Sequence, residues 1–243
     1  MITILYLLFL IAPILLTGSL ALVIRINQGN LRLLLAFSAA YLFALSIIHL
    51  LPEAFEFGEV KQMGLFIVLG FTIQLIIDTF STGIEHGHVH LHSTECKSHL
   101  PMGIVIGLFM HSFLEGLPVY NISPAQASSI NHQLVIGLAM HNIPISLAFA
   151  GLLKEHEAKV GKRWVLLIAF SLMSPLGYLF SFILQNYGLK HYEYFGHIAF
   201  AVVIGIFLHI STAILFESSE HHKYNRSKIL FMAGGIVLAY LIS

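Results

Sequence analysis

Charged side chains and cysteine are both scarce in this chain. Only 10% of its 243 residues are charged, with 12 basic and 12 acidic, whereas 57% are hydrophobic and the mean hydropathy is +0.86. This composition excludes a soluble globular domain, and the balanced charge argues against a nucleic-acid partner. The one cysteine, Cys96, excludes an intramolecular disulfide. The composition instead predicts an all-α polytopic membrane protein that contacts the lipid bilayer.

Long apolar runs, by contrast, are abundant. A transmembrane helix needs ~20 consecutive, mostly apolar residues. Eight stretches meet this need, at approximately residues 3–24, 31–51, 62–83, 101–121, 132–153, 163–185, 194–216 and 227–243. The connections are short, so we expect a single transmembrane domain, residues 1–243, with no soluble module. The first stretch lacks the basic start and cleavage site of a signal peptide, so we expect it to be retained.

The basic residues are distributed unevenly between the predicted loops. Ten of the twelve fall in odd-numbered loops or at their edges: Arg25, Arg32, Lys97, Lys154, Lys159, Lys162, Arg163, Lys223, Arg226 and Lys228. Cytoplasmic loops carry an excess of basic residues. This bias therefore predicts that the odd loops are cytoplasmic and that both termini lie outside. The brevity of the chain favours a bacterial inner membrane.

Residues 84–100 form a histidine-rich segment after the third stretch. Within it, His86, His88, His90 and His92 occupy alternate positions. The orientation above predicts that this loop is cytoplasmic. Histidine-rich tracts are typical of weak metal binding, because imidazole is the commonest metal ligand in proteins. A solvated polar linker is the alternative interpretation.

Three ionisable residues lie in the middle of the predicted fourth and fifth spans. His111 and Glu115 share the fourth span, and His141 lies in the fifth. Ionisable groups at bilayer depth are costly and by default face the interior of the helix bundle. A spacing of four puts His111 and Glu115 on one helix face, and a short connection makes the two spans neighbours. Imidazole and carboxylate are ligands for divalent metals, so we predict a metal site here.

Four further ionisable residues are candidates for a pathway to and from this site. His49 and Glu53 lie at the outer end of the second span, where negative charge would concentrate cations. Ordinary interfacial solvation is the alternative for these two. Asp78, in the inner half of the third span, either lines a cytoplasmic exit or forms a structural pair. His209, in the seventh span, is either a transit ligand or an interhelical hydrogen-bonding residue.

Three sequence motifs carry a resemblance to a known family. The strings HSFLEG from His111, HNIPIS from His141 and HLLPEAFE from His49 resemble motifs of the ZIP family of divalent-metal transporters. The resemblance implies eight transmembrane helices in a 3+2+3 arrangement, with the first and last three spans as inverted repeats. It also implies uptake of zinc, iron or manganese into the cytoplasm. Zinc is then the transported ion and not a resident cofactor.

The motifs also depart from the family pattern. Ile145 occupies the position of a carboxylate in the fifth span, and Ser112 replaces the usual asparagine in the fourth. The resemblance assigns the first metal position to His111, Glu115 and His141. A second position keeps only Asn142, Ser112 and the shared Glu115. We therefore expect one principal metal position. Imidazole-rich ligation favours zinc over manganese.

Two other functions are compatible with metal-binding side chains in a membrane. One is a membrane-embedded metal-dependent hydrolase or hydroxylase, although the HExxH motif and clustered HxxHH motifs of such enzymes are absent from the sequence. The other is a metal sensor that binds without transporting. We predict a transporter and not an enzyme. A homodimer remains an open expectation, as do the coupling ion and the choice between carrier and channel.

Overall fold

Helices make up nearly all of the described chain. The computed structural model describes residues 2–81, 100–120, 132–156, 159–186, 192–217 and 226–242. The predicted loop ligands His86, His88, His90 and His92 lie outside these ranges. The α-helices are α1 Ile2–Val23, α2 Gln28–Leu45, α3 Leu51–Glu56, α4 Val60–Ser81, α5 Met102–Gly116, α6 His132–His156, α7 Val160–Asn186, α8 Tyr192–Glu217 and α9 Arg226–Leu241. The all-α prediction is confirmed for these residues.

Seven helical segments in the described ranges are long and apolar enough to cross a bilayer. They are Ile4–Val23, Gln28–Glu56, Val60–Thr79, Met102–Val119, His132–His156, Val160–Leu184 and Tyr194–Phe216. The eighth predicted span corresponds to α9, which has 16 residues. At a rise of 1.5 Å per residue α9 is about 24 Å long, whereas the hydrocarbon core is ~30 Å thick. A count of eight spans therefore remains a prediction.

The second segment is interrupted by a wider helical turn. A π-helical turn, Ser46–Leu50, joins α2 to α3, and the Leu51 N–H donates to the Ser46 carbonyl. Pro52 is the second residue of α3, and it lacks the N–H that would bond to the Ile48 carbonyl in a regular α-helix. Such turns are often found at functional sites. This turn carries His49, one of the predicted pathway residues.

Apart from the short helix α3, the described helices pack as two groups of four. In the first group α1 packs along α6, and α5 packs along α7. In the second group α2 packs along α9, and α4 packs along α8. The groups meet where α2 contacts α6 and where α4 contacts α5. The helices that carry the predicted ligands, α5 and α6, therefore lie in the first group and border the second.

Buried apolar side chains hold both groups together. One cluster draws on α1, α5, α6 and α7, with Phe149 and Phe170 as its largest members. A larger cluster extends across both groups and includes Tyr41, Leu138 and Phe207. Large apolar side chains also remain exposed on α1, α4, α7 and α9, as expected of helices that face lipid.

Helices α4 and α8 approach each other at a pair of glycines. A Cβ atom on Gly70 would overlap the carbonyl oxygen of Val202, and one on Gly205 would overlap that of Ile67. Small residues at a crossing let two backbones come into direct contact, which is a common basis of helix association in membranes. This crossing matters for the site because α4 and α8 carry Asp78 and His209.

Candidate metal centre

The structure brings His111, Glu115 and His141 together. One ligand atom of each lies within 4.8 Å of the other two. Oε1 of Glu115 is 3.0 Å from Nε2 of His111 and 3.9 Å from Nε2 of His141. Ligand atoms around a tetrahedral zinc ion, each about 2.0–2.2 Å from the metal, lie about 3.4 Å apart. The observed separations bracket that value, so the three side chains fit one ion with little movement.

The electrostatics of this cluster favour a cation. All three side chains are fully buried, with exposed fractions of 1%, 0% and 0% for His111, Glu115 and His141. Within the described ranges, neither carboxylate oxygen of Glu115 accepts a hydrogen bond, and Nε2 of His141 makes none. A buried carboxylate without hydrogen bonds is unfavourable by several kcal/mol. A divalent ion bound between these groups would offset that cost.

Proline residues shape both helices close to the ligands. Pro144 lies inside α6, three residues after His141. Its ring removes the hydrogen bond to the Met140 carbonyl, which is adjacent to His141. Helix α5 ends at Gly116 and continues as a 3-10 turn that contains Pro118. The polypeptide therefore leaves regular α-helical hydrogen bonding near both sets of ligands.

Asp78 and His209 form a second polar group at the α4–α8 contact. Oδ2 of Asp78 is 2.7 Å from Nε2 of His209. Oδ1 of Asp78 accepts a hydrogen bond of 2.9 Å from Nε2 of Gln74. The interhelical hydrogen bond expected as one option for His209, and the pair expected as one option for Asp78, are therefore both present.

Two residues that sequence reasoning missed contact the ligand imidazoles. Oε1 of Gln74 is 3.1 Å from Nδ1 of His111, and the Ser38 hydroxyl is 3.3 Å from Nδ1 of His141. Both residues are buried and both belong to the second helix group. The spacing of four between Gln74 and Asp78 was a signal for the first. No local pattern marks Ser38.

The two remaining predicted ligands have different surroundings. Ser112 is buried, and its hydroxyl lies 3.0 Å from that of Ser174 on α7. Ser174 also donates to the backbone carbonyl of Ser112. Asn142 is buried beside His141, and its Nδ2 donates no hydrogen bond within the described ranges. Ser112 thus already has a helix-packing partner.

His49 and Glu53 are not members of the three-residue cluster. His49 lies in the π-helical turn and Glu53 in the first turn of α3, and both are half-buried. Nε2 of His49 makes no hydrogen bond within the part of the chain that the structure describes. A role for His49 and Glu53 in the ion pathway stays a prediction.

Comparison with known proteins identifies the family. A family model described as the ZIP zinc transporter matches residues 100–243, which is more than half of the chain and includes His111, Glu115, His141 and His209. The chain belongs to the ZIP zinc transporter family. As a ZIP protein with several apolar helices, it is an integral, multi-pass membrane protein of a metal-transport family.

Two similar proteins extend this comparison. The ZIP protein is 21% identical over 196 residues to "Probable zinc transporter 12" of Arabidopsis thaliana, covering 58% of this chain and 54% of that protein. It is 29% identical over 154 residues to "Protein zntD" of Dictyostelium discoideum, covering 59% of this chain and 22% of that protein. The matches thus span only part of the length of these relatives.

Proposed function

We propose that this ZIP protein transports zinc into the cytoplasm through one principal site formed by His111, Glu115 and His141. The observation that carries the proposal is the buried Glu115 carboxylate, which faces two imidazoles and accepts no hydrogen bond within the described ranges. Such a set binds a divalent cation, and three protein ligands leave a coordination position through which an ion can arrive and leave.

Zinc is the favoured cargo because of the donor atoms. Two of the three ligands are imidazole nitrogens, and the third is a carboxylate. Imidazole suits zinc and iron, whereas manganese and magnesium prefer oxygen ligands. The similar proteins whose names refer to zinc agree with this choice. Iron and manganese are the competing ions to test.

A single principal position is supported by the surroundings of the second one. Ile145 is buried in an apolar cluster of the first helix group, so no carboxylate stands at that point of α6. The Ser112 hydroxyl lies against Ser174. Glu115 alone would have to compensate two ions, and two like charges a few ångströms apart repel strongly in a medium of low dielectric constant.

The pathway to and from the centre is proposed from charge and position. His49 and Glu53 stand on the outer side if the odd loops are cytoplasmic. Asp78 and His209, already in contact at 2.7 Å, stand between the centre and the cytoplasm. The 84–100 loop, with His86, His88, His90 and His92, would receive the ion there. The same orientation places both termini outside, in a bacterial inner membrane.

The 3+2+3 arrangement is supported by how the helices pair. In an inverted repeat of the first and last three spans, α1, α2 and α4 correspond to α7, α8 and α9, and α5 corresponds to α6. The contact of α1 with α6 then matches that of α7 with α5, and α2 with α9 matches α8 with α4. Transporters built this way alternate access by moving one helix group against the other.

Uptake of radioactive zinc into proteoliposomes tests the proposal. We expect saturable uptake by the wild type, reduced at least ~10-fold in His111→Ala and His141→Ala because each loses one of three ligands. His156→Ala, at the end of α6 and away from the cluster, is the matched control and should transport normally.

The outcome separates the proposal from its alternatives. Tight zinc binding without uptake would contradict transport and indicate a sensor. Turnover of lipid by the purified protein, lost in Glu115→Ala, would indicate a membrane-embedded hydrolase or hydroxylase. Uptake that is unchanged in both histidine variants would show that the ion crosses elsewhere.

A further inference from the structure

A continuous series of side-chain contacts runs from α8 to the metal centre. His209 lies 2.7 Å from Asp78, Asp78 accepts from Gln74 at 2.9 Å, and Gln74 lies 3.1 Å from His111. His111 in turn lies 3.0 Å from Glu115. Gln74 is therefore the link between the Asp78–His209 pair and the first ligand.

The chemistry of these groups sets the direction of the hydrogen bonds. A nitrogen faces each oxygen of the Asp78 carboxylate: Nε2 of Gln74 donates to Oδ1, and Nε2 of His209 lies 2.7 Å from Oδ2. A carboxylate only accepts hydrogen bonds, so the amide nitrogen of Gln74 must face Asp78. A flipped amide would place two acceptor oxygens against each other. The amide oxygen of Gln74 consequently faces His111.

This direction determines the tautomer of His111. The Gln74 amide oxygen can only accept, so Nδ1 of His111 must donate and carries the proton. In the neutral ring, Nε2 then presents its lone pair on the side of Glu115. We propose that Gln74 is a positioning residue that holds His111 in its metal-binding tautomer and orientation, an inference that rests on the proposed zinc site.

Ser38 does not determine a tautomer in the same way. Its hydroxyl, 3.3 Å from Nδ1 of His141, is able to donate or accept. Like Gln74, Ser38 belongs to the second helix group and contacts a metal-binding imidazole of the first group. The imidazoles of the first group are thus oriented by side chains of the second. A movement of one group against the other would therefore alter the hold on the ligands as well as access to the ion.

The affinity for zinc tests the role of Gln74. In the purified full-length chain, zinc affinity is measured by competition with a chelator in four forms: wild type, Gln74→Met, His111→Ala and the double variant. Methionine has a similar shape and no hydrogen-bonding amide. We expect Gln74→Met to raise the dissociation constant for zinc ~10–100-fold, as is usual when a hydrogen bond to a metal ligand is lost. The absorption spectrum of Co²⁺ bound to Gln74→Met should also differ from that of Co²⁺ bound to the wild type.

The double variant distinguishes positioning from a general effect on the fold. If Gln74 acts through His111, its substitution should change affinity less than ~2-fold once His111 is alanine. Gln62→Met, the same substitution at an exposed position of α4, should leave affinity unchanged. An equal loss with and without His111, or wild-type affinity in Gln74→Met, would overturn the inference and leave the zinc site intact.

A measurement on the wild-type protein tests the inference even if Gln74→Met does not fold. Nitrogen NMR of ring-labelled histidine, with the His111 signals assigned by their absence in His111→Ala, reports which ring nitrogen carries the proton. We expect a proton on Nδ1 in metal-free protein, and a ring that carries a proton on Nε2 and none on Nδ1 would refute the inference. A lack of zinc binding by the wild type would refute the proposed function and this inference together.

Discussion

Zinc uptake is expected to fall to the background of empty liposomes when Glu115 is replaced by glutamine. Glu115 is the one carboxylate of the three-residue cluster and is shared between both imidazoles. Glutamine keeps the size of the side chain and removes its charge. The attraction between a carboxylate and a divalent ion in contact amounts to several kcal/mol even at an effective dielectric constant of ~20. Each 1.4 kcal/mol is tenfold in affinity, so we expect a loss of at least ~100-fold.

The metal-free stability of the same variant should not fall with its uptake. Because neither oxygen of Glu115 accepts a hydrogen bond within the described ranges, the buried charge destabilises the metal-free protein. We expect the melting temperature of metal-free Glu115→Gln to equal or exceed that of the wild type. The rise in melting temperature on adding zinc, which follows from binding to the folded state, should disappear.

The control for this prediction lies on the neighbouring helix. Glu155 is exposed near the end of α6, and Glu155→Gln is the same chemical change away from the cluster. It should keep both uptake and the zinc-dependent rise in melting temperature. Normal uptake by Glu115→Gln would remove the main support for the proposed site. A large fall in its metal-free melting temperature would instead indicate that Glu115 stabilises the fold.

The His111–Glu115 half of the cluster could be predicted from the sequence because its geometry is local. A spacing of four places His111 and Glu115 on one helix face. Two sequential spans with a short connection are expected to pack directly together, but this is not how His141 reaches the same depth. In the structure α5 packs mainly on α7 and α6 mainly on α1, and the two helices meet at the cluster through their side chains. The contacts of Gln74 and Ser38 could not be predicted in this way. They depend on how α4 and α2 are rotated and shifted relative to α5 and α6, and no short-range pattern encodes that register.

The helices were also easier to predict than their mutual contacts. Apolar length alone located the segments, because lipid offers the backbone no hydrogen bonds and a lipid-exposed apolar segment that spans the bilayer therefore forms a helix. The π-helical turn at Ser46–Leu50 was missed, although Pro52 is a signal for some departure from α-helix. Helix α9, Arg226–Leu241, lies close to the predicted eighth stretch, 227–243. To predict the close crossing at Gly70, one would have had to pair it with Gly205, which is 135 positions away in the sequence.

The close crossing of α4 and α8 should make the stability of the protein sensitive to a substitution at Gly70. Replacing Gly70 with alanine should destabilise the protein because the new Cβ would overlap the Val202 carbonyl oxygen. The obstacle is backbone, so α4 and α8 must separate. Overpacking of this kind costs ~1–3 kcal/mol or more, and ~2–4 °C per kcal/mol is typical for a protein of this size. We expect the melting temperature in detergent to fall by ~5–10 °C.

Gly64→Ala is the matched control on the same helix. A Cβ at Gly64 would meet nothing within 4 Å, and alanine favours a helix by ~1 kcal/mol over glycine. Its melting temperature should stay level or rise slightly. Equal melting temperatures for the two variants would show that α4 and α8 are not held in backbone contact.

The crossing also connects stability with the metal centre. Gly70, Gln74 and Asp78 follow each other at intervals of four on α4, and Gly205 precedes His209 by four on α8. Residues at this spacing share a helix face. Separation of the two backbones at Gly70 should therefore lengthen the contact between Asp78 and His209, now 2.7 Å, and loosen the hold of Gln74 on His111. We accordingly expect folded Gly70→Ala to bind zinc more weakly than folded Gly64→Ala. Equal zinc affinities would show that the α4–α8 crossing does not control the orientation of the metal ligands.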